Sequence, residues 1–209
     1  MADIKNIIFD LGDVLINIDF KKVAQAFQQL GIANFEDQYS QLQASSLFEN
    51  LEKGSISPTA FYASIKNQGN PHLTDLEIQN AWNAILLDFR KESMDYLVQL
   101  KSSYRLFLLS NTNAIHLKKI NIILLEQMGK TDLNHYFEKA YYSHLIGKRK
   151  PNKETYEFVL NDAQLIASET FFVDDSLPNI EAAFELGIQT HWLRPGEKIE
   201  ELNSIKLNK

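Results

Sequence analysis

The chain has 209 residues, 27 acidic against 21 basic side chains and a formal net charge of −6. It is long enough to bury a good core as one large domain or one domain with a smaller insert, and its acidic balance argues against a general nucleic-acid binder. With no cysteine, disulfides, thiolate catalysis and cysteine-ligated metals are excluded. No apolar run reaches membrane-spanning length. The N-terminus shows no secretory pattern, so the expectation is a cytoplasmic protein without membrane or nucleic-acid partners. Oligomeric state is left open.

Ile7, Ile8 and Phe9 run without polar alternation into Asp10, followed by Leu11, Gly12, Asp13 and Val14. Such a run suits a strand buried on both faces, the parallel-sheet kind. Asp10 then falls where the strand ends, and ligands of open α/β sheets bind just beyond strand carboxyl ends. A buried acid there needs a metal, a proton or a basic partner.

Ile16 to Ile18 lead into a helix with Phe20, Val23, Phe27 and Leu30 at helical spacing, Asp19 as N-cap and Gly31 as stop. No strand is expected from there to Phe89. Ser57-Pro58 opens a helix that stops near Gly69. Thr74 with Glu77 makes a capping box for another, which places Leu76, Trp82, Ile85, Leu86 and Phe89 on or near one face. Residues 17–90 therefore read as an all-helical subdomain inserted after the first strand, with 1–16 and 91–209 forming the core domain.

A helix from Ser93 to Lys101 precedes a second buried strand, Leu106 to Leu109, which ends at Ser110-Asn111. A helix running to Met128 follows, then a short strand over residues 139–143. The loop carrying Lys148, Arg149 and Lys150 leads to a helix beginning near Pro151. A fourth strand, Phe171 to Val173, ends in Asp174-Asp175. A helix with Pro178 near its start and Gly187 after its end comes next, then a fifth strand over 188–193 and a polar tail with one short helix. Strands alternating with helices predict an α/β fold with a doubly wound parallel sheet, whose right-handed crossovers help bring strand ends to one edge.

That edge gathers Asp10, Ser110-Asn111, the Lys148–Lys150 loop and Asp174-Asp175. Carboxylates so grouped repel one another unless a cation sits between them. Oxygen ligands without His or Cys favour a hard ion, and Mg²⁺ is the usual one that also recruits phosphate. Serine hydroxyl, backbone N–H groups and lysine suit phosphate oxygens, and an aspartate held against metal and phosphate can attack phosphorus. Singly, each feature has a plain structural reading. Ser110-Asn111 is a common way to leave a strand, the basic run suits a solvated loop, and Asp174-Asp175 can cap the next helix. The five histidines show no ligand spacing and read as structural or surface residues, and Trp82 reads as core.

Taken together, FDLGDV at 9–14, LLSN at 108–111, KP at 150–151 and FVDDSLPNIEAA at 172–183 resemble the haloacid dehalogenase superfamily of hydrolases. The resemblance implies a Rossmann-like core with the helical insert as a cap. It also implies a Mg²⁺-dependent phosphatase acting on a small phosphorylated metabolite, such as a sugar phosphate, through an aspartyl-phosphate. By the same resemblance Asp10 is the nucleophile, Lys150 its electrostatic support, and Ser110 and Asn111 the phosphate binders. Asp10, the Gly12 carbonyl and Asp175 are implied metal ligands, with Asp174 a ligand directly or through water.

One position departs from the pattern. Phosphatases of this family usually carry a second aspartate two residues after the nucleophile, as acid/base, and here that residue is Gly12. Asp13, Asp19 or water are the candidate replacements. A mutase-type transfer, or a phosphate- and metal-binding module without turnover, are the alternative readings that Gly12 keeps open. The branch most resembled includes sugar 1-phosphate phosphatases, whose anomeric leaving oxygen depends less on an acid.

Overall fold

The computed structural model describes residues 3–32, 35, 39, 45–202 and 205. Five parallel strands form the central sheet: β1 (Asn6–Phe9), β4 (Arg105–Ser110), β5 (Lys139–Tyr142), β6 (Thr170–Asp174) and β7 (Gln189–Trp192), in the spatial order β5-β4-β1-β6-β7. All four residues of β1 are buried, as expected of a strand paired on both edges and covered on both faces. The pleat divides its side chains. Ile7 and Phe9 join Leu106, Leu108, Phe171 and Val173 in a core beneath α5 (Lys91–Leu100) and α6 (Ala114–Met128). Ile8 joins Phe107, Leu109 and Phe172 in a second core beneath α8 (Lys153–Asp162) and α9 (Leu177–Phe184). Each fully buried large apolar side chain contributes roughly 1.5–3 kcal/mol. The doubly wound parallel architecture is as the sequence predicts.

Between β1 and α5 the chain builds a third, separate core. Helices α1 (Phe20–Gln29), α2 (Ser46–Glu52), α3 (Pro58–Gln68) and α4 (Asp75–Asn83) pack around the fully buried Trp82. Phe27, Phe35, Tyr39, Phe48 and Phe61 surround its ring at centroid distances of 4.7–6.5 Å. The expected caps form. Asp19 accepts from the N–H groups of Lys21 and Lys22, Ser57 accepts from Ala60, and Thr74 and Glu77 make the reciprocal capping box.

Two features of this segment differ from expectation. It is not all-helical: α4 ends at Asn83, and Leu86–Phe89 is a strand, β3, paired antiparallel with β2 (Ile16–Ile18). The helical spacing of Ile85, Leu86 and Phe89 is overridden by this pairing, which places the chain's entry into the segment beside its exit. Arg90 reinforces it, donating through its N–H to Leu15 O and through Nε to Asn17 Oδ1. The second difference is α2, a seven-residue helix not picked out from the sequence, whose N-cap residue Ser45 makes no side-chain cap bond. Among the described residues no helix is long and apolar enough to cross a membrane.

The turn after α2 comes close to α7 (Ser143–Ile146), a single helical turn following β5. Gly54 there has φ +67°, and a Cβ would collide with the carbonyl oxygen of His144. Replacing Gly54→Ala adds backbone strain to that collision, and the expected loss is about 2 kcal/mol or more, read as a lower midpoint in urea unfolding. An unchanged midpoint would show that these two segments do not meet this closely in solution.

Candidate active site

Counting only the parallel strands, chain order across the sheet is 3-2-1-4-5, so the connections change direction at β1. The crevice between β1 and β6 is the topological switch point, where α/β sheets bind their ligands. Asp10 is the first residue beyond β1, and its N–H continues the ladder to Val173 O at 2.9 Å. Asp174 is the last residue of β6. Neighbouring strands in register thus bring two acids, 164 positions apart in the chain, to one place.

Lys150 lies between them. Its Nζ is 2.6 Å from Asp10 Oδ1 and 2.6 Å from Asp174 Oδ2, with the side chain 1% exposed. Asn111 fixes the backbone that carries it: Asn111 Nδ2 donates to Lys150 O, and Lys150 N–H donates to Asn111 Oδ1, both at 2.9 Å. The Asn111 side chain is therefore a clamp on Lys150, and what this residue offers an incoming anion comes chiefly from its main chain. Asp174 is equally engaged. Beyond Lys150, its oxygens accept from Ser176 N–H at 2.8 Å and from Asn179 Nδ2 at 2.9 and 3.1 Å.

Asp10, Gly12, Ser110, Asn111, Lys150 and Asp175 all line one cavity of about 210 Å³. Asp174 is fully buried and reaches the cavity through Lys150. Carboxylate oxygens of Asp10, Asp174 and Asp175 lie within 4.8 Å of one another. Burial pushes Asp10 up to about 6, with Lys150 opposing and Asp174 reinforcing the shift. Burial, then the charges of Asp10 and Asp174, push Asp175 up to about 8. Burial alone would lower Lys150, but Asp10 and Asp174 outweigh it and hold its ammonium above the ordinary value. Three carboxylates against one ammonium leave this cluster two positive charges short, and its donors are all oxygen. Both properties fit a hard dication such as Mg²⁺.

Neither acid proposed to replace the missing one at Gly12 reaches the cavity. Asp19 is spent as the N-cap of α1. Asp13 sits in a left-handed turn with φ +50°, accepts from Ile18 N–H at 3.4 Å and lies 3.6 Å from Arg90. A Cβ at Gly12 would lie 3.1 Å from Ile18 Cδ1, so an isoleucine covers the place a side chain there would enter.

Tyr39 and Glu52, which sequence reasoning did not single out, also line the cavity, as do His116, read as structural or surface, and Arg149. His116 stacks on Trp82 at 4.4 Å, and its Nε2 is 3.0 Å from Trp82 O. Burial lowers its pKa to about 4, which keeps it neutral near pH 7. Arg149 was read as part of a solvated basic run, yet it pairs with the buried Glu52. No local signal marks either partner, because the contact joins α2 to a loop nearly a hundred residues later.

A family model for haloacid dehalogenase-like hydrolases matches residues 4–187, and the chain belongs to that family of enzymes. It is 36% identical to D-ribitol-5-phosphate phosphatase of Bacteroides thetaiotaomicron, over 98% of this chain and 99% of that one. It is 29% identical to a sesquiterpene phosphatase of Aspergillus oryzae, over 69% and 70% of the two chains. Among solved structures it resembles a haloacid dehalogenase family enzyme of B. thetaiotaomicron in complex with magnesium and inorganic phosphate. There the TM-score is 0.87 at 37% identity, covering 96% of this chain and 99% of that one. A HAD-like family hydrolase from Porphyromonas gingivalis matches with TM-score 0.85 at 33% identity, covering 94% of each chain.

The carboxylate cluster makes stability depend on pH and metal. Asp10 and Asp175 bind protons more tightly folded than unfolded, so the metal-free protein is most stable where both are protonated. It loses that stability as pH rises from about 4 through about 6 for Asp10 and on to about 8 for Asp175. Mg²⁺ at a hundredfold excess over its Kd at pH 8 adds about 2.7 kcal/mol there, and the same concentration adds less at pH 5, where protons compete. Melting curves in EDTA and in Mg²⁺ at both pH values check this. Equal stabilisation at the two would place the metal elsewhere.

Proposed function

We propose that the chain is a Mg²⁺-dependent phosphatase that hydrolyses phosphate monoesters of small hydroxylated metabolites, sugars or polyols, at the β1–β6 switch point. The observation that carries this reading is the Lys150 ammonium held 2.6 Å from both Asp10 and Asp174, with Asp175 in the same cluster. The 36% identity to a D-ribitol-5-phosphate phosphatase supports the substrate class. Asp10, Asp175 and the Gly12 main chain would hold the metal, with Asp174, whose oxygens already accept from Lys150, Ser176 and Asn179, completing the acidic cluster around it. When bound, Mg²⁺ supplies positive charge that draws the phosphate in and offsets charge on the transferring group. Ser110 and the main chain at Asn111 orient the phosphate oxygens.

A carboxylate oxygen of Asp10 attacks phosphorus as the ester P–O bond breaks, giving an aspartyl-phosphate and the alcohol. Water then attacks phosphorus, the Asp10–phosphorus bond breaks, and inorganic phosphate leaves. Lys150 stabilises Asp10 before attack and the phosphoryl oxygens during it. In this reading α1–α4 with the β2–β3 ribbon, residues 17–90, act as the cap that closes the cavity against water.

Asp10→Asn should lower turnover by roughly 10⁴-fold or more without unfolding the protein, measured as phosphate release from a panel of esters with Mg²⁺ and with EDTA. Wild-type turnover in that variant removes Asp10 as nucleophile, and release that ignores EDTA removes the metal. Gly12 leaves the departing oxygen to take its proton from water. Gly12→Asp, for which Ile18 has to yield by a few tenths of an ångström, should accelerate alkyl phosphates by about 10²-fold. It should change p-nitrophenyl phosphate, whose leaving group needs no proton, far less. Equal effects on both esters would show that proton delivery is not what the glycine lacks.

A further inference from the structure

The cavity has a second polar wall that phosphate chemistry does not use. Glu52, the last residue of α2, is 3% exposed, and Arg149 directly precedes Lys150. Arg149 Nη2 lies 2.9 Å from Glu52 Oε2, and Tyr39 Oη donates to Glu52 Oε1 at 3.1 Å. Their bonding capacity is not exhausted: Glu52 Oε2 accepts no hydrogen bond of good geometry, and Arg149 Nε donates none, although both atoms are buried. Tyr39, Glu52 and Arg149 all line the cavity that holds Asp10 and Lys150.

A buried charge pair is a poor way to build a stable wall, since desolvation offsets much of the attraction, and unmatched polar atoms add to the cost. Ile16, Ile18, Ile85 and Leu86 line other parts of the cavity at no such cost. A hydroxyl is the group that satisfies both partners, because it donates to a carboxylate and accepts from a guanidinium. An apolar alcohol satisfies neither.

We propose that Glu52 and Arg149 form a subsite that reads the hydroxyl groups of the substrate's carbon chain, and so select sugar and polyol phosphates over phosphates of apolar alcohols. This rests on the phosphatase reading and adds the residues that set its selectivity. It also separates this chain from the sesquiterpene phosphatase among its relatives. A site built to bond hydroxyls rejects analogues lacking them far more strongly than an apolar pocket rejects an added one.

The test compares D-ribitol 5-phosphate with n-pentyl phosphate, which presents the same chain length and a primary alkyl leaving group but no hydroxyls. Wild-type enzyme should favour the polyol ester in kcat/KM by about 10⁴-fold. Glu52→Gln should reduce that ratio at least tenfold, mainly through KM for the polyol. Should the lone arginine prevent folding, Glu52→Gln combined with Arg149→Met removes both charges and should collapse the ratio as well. An unchanged ratio overturns the subsite. So does an equal loss on both esters, which would make the pair a latch between α2 and the Lys150 loop. If wild-type enzyme hydrolyses both esters equally, the phosphatase reading stands and the subsite falls. If it releases phosphate from neither of these nor from p-nitrophenyl phosphate, both fall.

Discussion

The contact on which the molecule turns is one ammonium group shared by two carboxylates in a site closed to water. The Lys150 side chain is 1% exposed, that of Asp174 is 0% exposed and that of Asp10 is 12% exposed, on the cavity side. Apolar residues of similar volume often do as well or better for stability, while losing one partner of such a group costs about 3–5 kcal/mol. The arrangement is therefore hard to explain as a device for holding the sheet together. It is easy to explain as a nucleophile kept ionised and aimed. The surrounding bonds agree: Asn111 uses both ends of its amide on the Lys150 backbone, and Asn179 and Ser176 hold Asp174 from the far side. The polar neighbours of the pair act to fix where the charge lies.

The sheet explains why these residues meet. β1 lies between β4 and β6 with every residue buried, so Asp10, Ser110 and Asp174 are set by strand register and not by loop geometry. Strand ends are rigid, and a site built on them needs little reorganisation when charge moves. The helices between β2 and β3 have a separate aromatic core around Trp82, and the paired strands beneath them bring entry and exit together. That leaves their floor, including Ile18, Ile85 and Leu86, as a wall of the same cavity.

This layout also decides what could be read before folding. Buried parallel strands announce themselves as unbroken apolar runs, so Ile7–Phe9, Leu106–Leu109 and Phe171–Val173 were legible, and the acids at their ends with them. Caps are local chemistry, and Asp19, Ser57 and Thr74 behaved accordingly. What failed depended on distant partners. Leu86–Phe89 has helical spacing, yet Ile16–Ile18 makes it a strand. The serines that open α2 were passed over, and Ser45 makes no side-chain cap bond there, so α2 went unseen, and Glu52 with it. Arg149 and Lys150 are adjacent and look alike in sequence, but one faces a helix from the insert and the other faces Asp10. The resemblance implies Asn111 as a phosphate binder, and in the structure its side chain bonds the Lys150 backbone.

Gly12 is where composition and site bear most directly on the reaction. A β-bridge pairs it with Ile16, and the tip of Ile18 crowds the place where a side chain would start. The nearby acids do not compensate, because Asp13 is tied to Ile18 N–H near Arg90 and Asp19 caps a helix. His116 lines the cavity but is neutral, with its ring stacked on Trp82. In the proposed reading, bond breaking at phosphorus would rest on charge stabilisation by Lys150 and a dication, with the proton for the departing oxygen coming from solvent. General acid help is typically worth about 10²–10⁴-fold, and its loss weighs least where the oxygen leaves readily. A hydroxylated substrate with an anomeric oxygen satisfies both constraints at once: it offers bonds to the Glu52–Arg149 wall, and it asks little of the position that Gly12 leaves bare.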